Sequence, residues 1–428
     1  VTTTTATQNP TATGSRTVVL DDDPTGTQAA SGVQVLLECD ADRLEAALRG
    51  SGSVYVQTNS RALDEATAVA LVTRVREDAL EAGRRLGVDV RFVLRGDSTL
   101  RGHVFAETGV FAGPDDVVLL VPAFPAGGRT TVDGVHLVRT ADGDVPVGET
   151  EYAADPVFGF RSSRLVDYVA EKSGRTGVGV PLAVVRDPEA LARRFAQAPA
   201  GSVLVPDVET DADVAALADA VRGAGREVVV RCAAPLAAAL AGVVSTGLLP
   251  RPLVPHPPRT LVVCGSHTAG AQEQLRVLGR TWGEFEVVAT ADALDDPVAA
   301  GRELAERAGR VLARQGVVTL ASERVRMADH GTLAHGEAVM TALTTAVREL
   351  LPQVDAVVSK GGITAAEVAR TGLGATSALV EGQVAAGISV WRMTARDGRE
   401  VHQVVVPGNV GGPDAIADAV DALGLSPR

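Results

Sequence analysis

Short runs of β-branched residues alternate along this chain with longer segments whose apolar residues recur three and four positions apart. Residues 17–20, 33–37, 54–57, 90–94 and 117–121 are short, apolar and Val-rich, the pattern of strands buried on both faces. Segment 64–86 between them has helical periodicity. The rhythm breaks at Pro250-Arg251-Pro252-Leu253-Val254-Pro255-His256-Pro257-Pro258. Proline lacks the amide donor, so this stretch is neither a regular helix nor a central strand and reads as a linker over 249–259. Strands are then predicted at 260–264, 286–289, 317–321, 356–359, 389–393 and 402–406, and helices at 272–278, 298–314, 337–350 and 413–423. This alternation predicts an α/β fold, with two α/β domains and largely parallel sheets, spanning residues 17–248 and 260–428. No repeat of fixed period is present. Segment 122–160, rich in Gly, Thr and Asp, reads as a long irregular stretch with a functional role.

Composition narrows the function classes. A hydrophobic content of 46% with 22% charged residues describes a globular protein. No apolar stretch reaches the roughly 18 residues of a membrane span. The Thr-rich start, 1–16, has no apolar h-region and reads as a disordered tail rather than a secretory signal. A net charge of −13 argues against a nucleic-acid partner held by phosphate contacts, and 3% aromatics are too few for base stacking. Cys39, Cys232 and Cys264 lack the pairing of a disulfide framework or a zinc site, which fits a reducing, cytoplasmic setting. The basic residues include only two lysines, Lys172 and Lys360.

Chemistry concentrates after predicted strands. Leu20-Asp21-Asp22-Asp23-Pro24-Thr25-Gly26-Thr27-Gln28 follows the first. In parallel α/β sheets ligands collect beyond the carboxyl ends of strands. Three adjacent carboxylates there are costly unless they bind a cation, accept hydrogen bonds from a ligand or act as a base; an acidic turn capped by Asp is the plain alternative. Leu94-Arg95-Gly96-Asp97-Ser98-Thr99-Leu100-Arg101-Gly102-His103 follows a second strand. Arg95 and Arg101 offer planar donor forks for a carboxylate, and Asp97 and Ser98 suit hydroxyls, a combination fitted to a small polyhydroxylated anion. Pairing of Asp97 with an arginine is the structural alternative. Ser60 and Arg61, in Thr58-Asn59-Ser60-Arg61, and Arg129, in Gly127-Gly128-Arg129-Thr130-Thr131, are weaker candidates for the same site.

The second half repeats a strand, Gly turn, helix design three times, at Cys264-Gly265-Ser266-His267, at Ser359-Lys360-Gly361-Gly362-Ile363-Thr364 and at Pro407-Gly408-Asn409-Val410-Gly411-Gly412. Glycine lets backbone amides approach an anion, and a helix N-terminus favours negative charge. Three such junctions on one sheet edge would make a phosphate or nucleotide cradle. GxxxxGK[ST], GxGxxG after a first strand, HExxH and GxSxG are all absent.

Asp22-Asp23-Pro24-Thr25-Gly26, Asp97-Ser98-Thr99-Leu100-Arg101-Gly102, Pro122-Ala123-Phe124-Pro125 with Gly128-Arg129-Thr130, and Gly361-Gly362-Ile363-Thr364 together resemble the four-carbon acid sugar kinase family over about residues 17–423. The resemblance implies a sugar-acid-binding domain at 17–248, a nucleotide-binding domain at 260–428 and an active site in the cleft between them. It implies an ATP-dependent kinase, with Mg²⁺ accompanying ATP, acting on the terminal hydroxyl of acids such as threonate, erythronate or 3-oxo-tetronate. Asp22 or Asp97 would orient or deprotonate that hydroxyl. Asp23, Thr25, Ser60, Arg61, Arg95, Ser98, Arg101 and Arg129 would bind the acid. Ser266, Lys360, Gly361, Gly362, Thr364, Gly408, Asn409 and Gly411 would bind the nucleotide, while no Mg²⁺ ligand is singled out. The expected partners are small molecules, with neither nucleic acid nor membrane, and a homodimer is left open. An NAD(P)-dependent hydroxy-acid oxidoreductase and a non-catalytic metabolite sensor are the rival readings. Pro24, Ile363 and Val406-Pro407 depart from the pattern of many members and place the chain in a divergent subgroup.

Overall fold

The apolar runs become strands because each buries two faces at once. In the computed structural model, which describes residues 14–425 apart from 141–142, 267, 284, 324–332 and 409, the first half contributes β1 (Ser15–Asp21), β2 (Val33–Leu36), β3 (Ser53–Gln57), β4 (Asp89–Arg95), β5 (Val117–Val121), β6 (Arg129–Val132), β7 (Val135–Thr140), β8 (Gly143–Pro146), β9 (Gly177–Val180), β10 (Val203–Pro206) and β11 (Val228–Cys232). The second contributes β12 (Thr260–Cys264), β13 (Glu286–Val288), β14 (Val317–Ser322), β15 (Ala356–Lys360), β16 (Ser377–Ala385), β17 (Ile388–Thr394) and β18 (Glu400–Val406). Alternate residues of one strand enter different cores. Val19, Tyr55, Val93 and Leu119 join one cluster, and Val18, Val56, Leu94 and Leu120 join the other. Each such aliphatic side chain contributes roughly 1.5–3 kcal/mol on full burial.

Helices cover the faces and obey ordinary end signals. Asp64 caps helix Glu65–Leu86 by accepting from the Thr67 amide, and Asp296 with Pro297 starts helix Pro297–Gln315. The strands predicted from the Val-rich runs are present within a few residues, and β1 begins at Ser15, inside the stretch read as a tail. The linker residues 249–259 carry neither helix nor strand.

Two features differ from the sequence reading. Segment 122–160 is not irregular throughout: β6, β7 and β8 form an antiparallel three-stranded sheet, whose short strands carry too little apolar run to stand out. The two halves also share one 15-stranded sheet, ordered β13-β14-β12-β15-β18-β17-β16-β2-β3-β1-β4-β11-β5-β10-β9. β2 of the first half pairs antiparallel with β16, β16 with β17 and β17 with β18, while the other ladders are parallel. The parallel strands of the halves therefore run in opposite senses. In a flat sheet their carboxyl edges would face opposite ways. Strand twist of roughly 20–25° per step accumulates across the junction, and the turn after β1 packs against the helix after β15, so the two edges meet.

Candidate active site

β1 lies between β3 and β4, and the chain order reverses there, which opens the crevice where α/β sheets bind ligands. Asp21 stands in register with Gln57 on β3 and Arg95 on β4, and Arg95 with Cys232 on β11. The acidic turn and the Arg95–Arg101 segment thus leave the sheet side by side.

Arg61 ties the acids together. Its Nη2 lies 3.3 Å from Asp22 Oδ1 and 3.0 Å from Asp23 Oδ2, and its Nη1 lies 3.7 Å from Asp97 Oδ2. Asp22 is buried, and its Oδ2 accepts from Arg231 Nη2 at 3.0 Å while Oδ1 accepts no hydrogen bond among the described residues. Burial pushes the Asp22 carboxyl above the usual range, against the pull of Arg61, Arg231 and Arg95. Asp97 moves the other way. Burial alone would raise it, but Arg101, Arg61 and the Thr99 hydroxyl outweigh that and hold it far below the usual range. Arg101 Nε donates to Asp97 at 2.7 Å, and its guanidinium lies 4.9 Å from the Tyr152 ring centre. Asp23 is also held below its ordinary value, where Arg61, Arg95 and Thr25 overcome burial. Its Oδ1 accepts from the Thr25 amide at 2.8 Å, so it also caps the following turn. The plain alternatives, a capping Asp and an Asp97–Arg pair, are therefore both realised within the cluster.

Some expected ligands lie beneath the site rather than on it. Arg95 is buried, with Nη1 donating to Asp21 Oδ1 at 3.0 Å and to the Asp23 carbonyl at 3.1 Å. It holds the acidic turn and offers no open fork to a carboxylate. Ser60 is buried and donates to Glu107. Ser98 is buried, and its carbonyl accepts from His136 Nε2 at 2.8 Å. Arg101 keeps 26% of its side chain exposed, and Arg129 lines a cavity of about 630 Å³. Tyr152 and Val138 of the first half and Ala386, Val410 and Gly411 of the second line the same cavity, which therefore lies between the halves.

In the second half, Cys264, Lys360 and Val406 share one register row, so the three glycine junctions leave the same edge together. Gly361 precedes helix Gly362–Glu367, and a β-carbon at Gly362 would overlap the Asp23 carboxylate. That glycine lets the two halves touch where their carboxyl edges meet. Ser266 lies 3.2 Å from the Thr268 hydroxyl, which caps helix Ala269–Trp282. Thr364 is buried against Gly265 and Gly361. Gly408 has open space beside it, and Asn409 lies outside the described residues.

Lys360 ends β15 and is neither a solvated loop residue nor free to reach into the cleft. It is buried, and Nζ donates to the Pro407 carbonyl at 2.6 Å and the Val410 carbonyl at 3.4 Å. Burial lowers its pKa to about 8. Gln274 Nε2 reaches the carbonyls of Val410, Gly411 and Gly412 at 3.4, 3.1 and 2.9 Å. A trans peptide points N–H opposite to C=O, so these bonds turn the amides of Gly408, Gly411 and Gly412 away from both side chains.

Sequence reasoning overlooked Glu107, Arg231, Tyr152 and Gln274. Arg231 had a signal, since it is a lone charge at the end of the apolar run 228–232. Glu107 lies one turn into the helix after Gly102-His103. Tyr152 and Gln274 had none.

The chain matches two family models, a sugar-binding N-terminal domain over residues 17–240 and a nucleotide-binding C-terminal domain over residues 261–416. It is 31% identical over 386 residues to a D-threonate kinase of Bordetella bronchiseptica, covering 88% of this chain and 87% of the relative. It is 30% identical over 313 residues to a D-erythronate kinase of Heliobacterium modesticaldum, covering 70% and 68%. The fold is similar to the crystal structure of a Haemophilus influenzae protein, with a TM-score of 0.63 at 17% identity, covering 95% of this chain and 100% of that one. Family models across both halves, and a relative matched over most of its length, lead to one assignment: the chain belongs to the four-carbon acid sugar kinase family.

Proposed function

We propose that this chain is an ATP-dependent kinase that phosphorylates the terminal hydroxyl of a four-carbon sugar acid of the threonate, erythronate or 3-oxo-tetronate type. The observation that carries the reading is the contact of Asp23, on the acid-rich edge of the first half, with Gly362, in a glycine junction of the second. It brings the edge read here as binding the sugar acid and the edge read here as binding phosphate to one cleft, which supports the reading. The relatives, a D-threonate kinase and a D-erythronate kinase, support the same reading.

Phosphoryl transfer asks a protein mainly for positioning and charge stabilisation. Arg101 and Arg129 hold the acid's carboxylate from the cavity side. Asp22 accepts the proton of the attacking hydroxyl through Oδ1, and Asp97 stays ionised to fix Arg101. The outward amides of the last glycine loop receive ATP phosphates. The acids do not fit a protein-held Mg²⁺. Asp21, Asp22, Asp23 and Asp97 each face a guanidinium, and no group of three His, Cys, Asp or Glu suited to a metal stands among the described residues. Mg²⁺ would come with the ATP phosphates.

An ATP-coupled assay over threonate, erythronate and their oxo-acids, with the phosphate located by NMR, tests the reading. Turnover with one of them, phosphorylated at the terminal hydroxyl, is expected. No turnover across the panel in the presence of Mg²⁺ overturns it.

Lys360 supplies a separate prediction. Lys360→Met removes the donor that pins the Pro407 and Val410 carbonyls. KM for ATP is expected to rise roughly 10-fold, equivalent to about 1.4 kcal/mol, with KM for the acid unchanged. Gln274→Ala should act in the same direction although it removes no charge, because both side chains shape the loop. A wild-type KM for ATP in both variants would leave the two side chains as packing.

A further inference from the structure

Arg231 occupies the centre of the first half's site from a strand that neither substrate edge needs. It is the penultimate residue of β11, two strands from β1, and its side chain is buried. Nη1 donates to Glu107 Oε2 at 2.5 Å and Nη2 to Asp22 Oδ2 at 3.0 Å. The guanidinium passes against Gly96 and close to Gly102, and a β-carbon at Gly96 would collide with it. Glu107 is buried and also accepts from Ser60. The result is a rigid line, Ser60 to Glu107 to Arg231 to Asp22, with each member fixed by the next.

Resting on the assignment of Asp22 as the base, we propose that Arg231 is the positioning residue that aims Asp22 and sets the pH at which it works, with Glu107 as the buried counter-charge that limits Arg231's influence. Arg231 takes Oδ2 and so fixes the carboxylate plane, which leaves Oδ1 as the atom without a hydrogen bond among the described residues. A second buried carboxylate against the same guanidinium divides its charge between two anions. Without Glu107, Arg231 would stabilise the ionised form of Asp22 more strongly, and the base would be weaker. The other charged groups facing Asp22 are Arg61 from the turn after β3, Arg95 from β4, and Asp21 and Asp23 from its own turn, with Asp97 reached through Arg61. None of them links Asp22 to Glu107, on helix Val104–Phe111, as Arg231 does.

The signs follow from Coulomb's law. Loss of Arg231 removes a positive charge and raises the Asp22 pKa. Loss of the Glu107 charge lowers it. A charge within about 4–6 Å moves a pKa by roughly 1–3 units when buried. The acidic limb of kcat/KM for the sugar acid is therefore expected to move up by about one pH unit or more in Arg231→Met and down in Glu107→Gln. In the double variant both charges go, and the limb should return toward the wild-type position, a coupling that a merely structural role does not produce. If Arg231→Met alone fails to fold, because it strands two buried carboxylates, the Glu107→Gln and double variants still give the sign. Limbs that stay at the wild-type pH in folded variants overturn the proposal while Asp22→Asn remains inactive. Full activity in Asp22→Asn would instead remove the base assignment beneath it.

Discussion

Asp22→Asn is expected to lower kcat by about 10²–10⁴-fold, the usual worth of general-base help, with KM for ATP little changed. The site holds two candidate carboxylates, and their surroundings push them apart, which is how paired acids are assigned separate roles. Asp97 is gripped by Arg101, Thr99 and Arg61 and held far below the usual range, so it is a weak proton acceptor with its Oδ2 already occupied. Asp22 is raised by burial and, among the described residues, keeps Oδ1 without a hydrogen bond. Asparagine keeps the shape of the side chain and removes its basicity, and Arg231 keeps Glu107, Arg61 keeps Asp23 and Asp97, and Arg95 keeps Asp21 as counter-charges, so folding should survive. Asp97→Asn should act differently, raising KM for the sugar acid because Arg101 loses its anchor. Steady-state kinetics on both variants separate the roles. A wild-type kcat in Asp22→Asn would take that residue out of the base role.

Arg61→Met is expected to cost stability as well as activity. One guanidinium, 14% exposed, faces Asp22, Asp23 and Asp97. Removing one partner of a buried ion pair typically destabilises by about 3–5 kcal/mol, because the opposite charge stays buried and uncompensated. Denaturant unfolding should show a lower midpoint with an unchanged slope. The loss should also depend on pH. The folded values of Asp23 and Asp97 lie below their unfolded ones, so the stability they draw from Arg61 is present above the usual carboxylate range and is lost as pH falls through the folded values. The gap between wild type and variant should therefore narrow on acidification. A gap that is small at neutral pH, or constant with pH, would show that Arg61 is not the charge holding these acids. Arg61→Lys should fall between, since a single ammonium keeps the charge but lacks a fork that spans three carboxylates.

Much of the scaffold could be read in advance for a simple reason. A strand buried on both faces must be apolar at every position, so β1, β5, β12 and β15 stand out as Val-rich runs. β16 was overlooked because it is covered differently. Its residues alternate between buried and half-buried, and Glu381 and Gly382 interrupt the run. Yet β16 is the strand that joins the halves, by pairing with β2. The motifs were legible for a related reason. Asp21–Asp23, Asp97, Gly361 and Gly408 follow apolar runs directly, and parallel topology brings such positions to one edge.

Which of these groups faces a ligand was not legible. Arg95 and Arg101 have the same chemistry six residues apart, but Asp21 takes Arg95 into the interior while Arg101 stays partly open beside Tyr152. Lys360 stood out for rarity and invited a phosphate contact, but it donates to carbonyls under the last glycine loop. Arg231 and Glu107, far apart in the chain, form a single unit with Asp22.

The amino-acid sequence by itself determined the α/β class, the strand ends where chemistry collects and the family, since these depend on local apolar periodicity and short contiguous motifs. Only the tertiary structure decided the continuous sheet, the meeting of the two carboxyl edges at Asp23 and Gly362, and the pairing of each guanidinium with its acid. Those outcomes depend on twist accumulated over many strands and on distances between residues remote in the chain, and neither is written into any local run of residues.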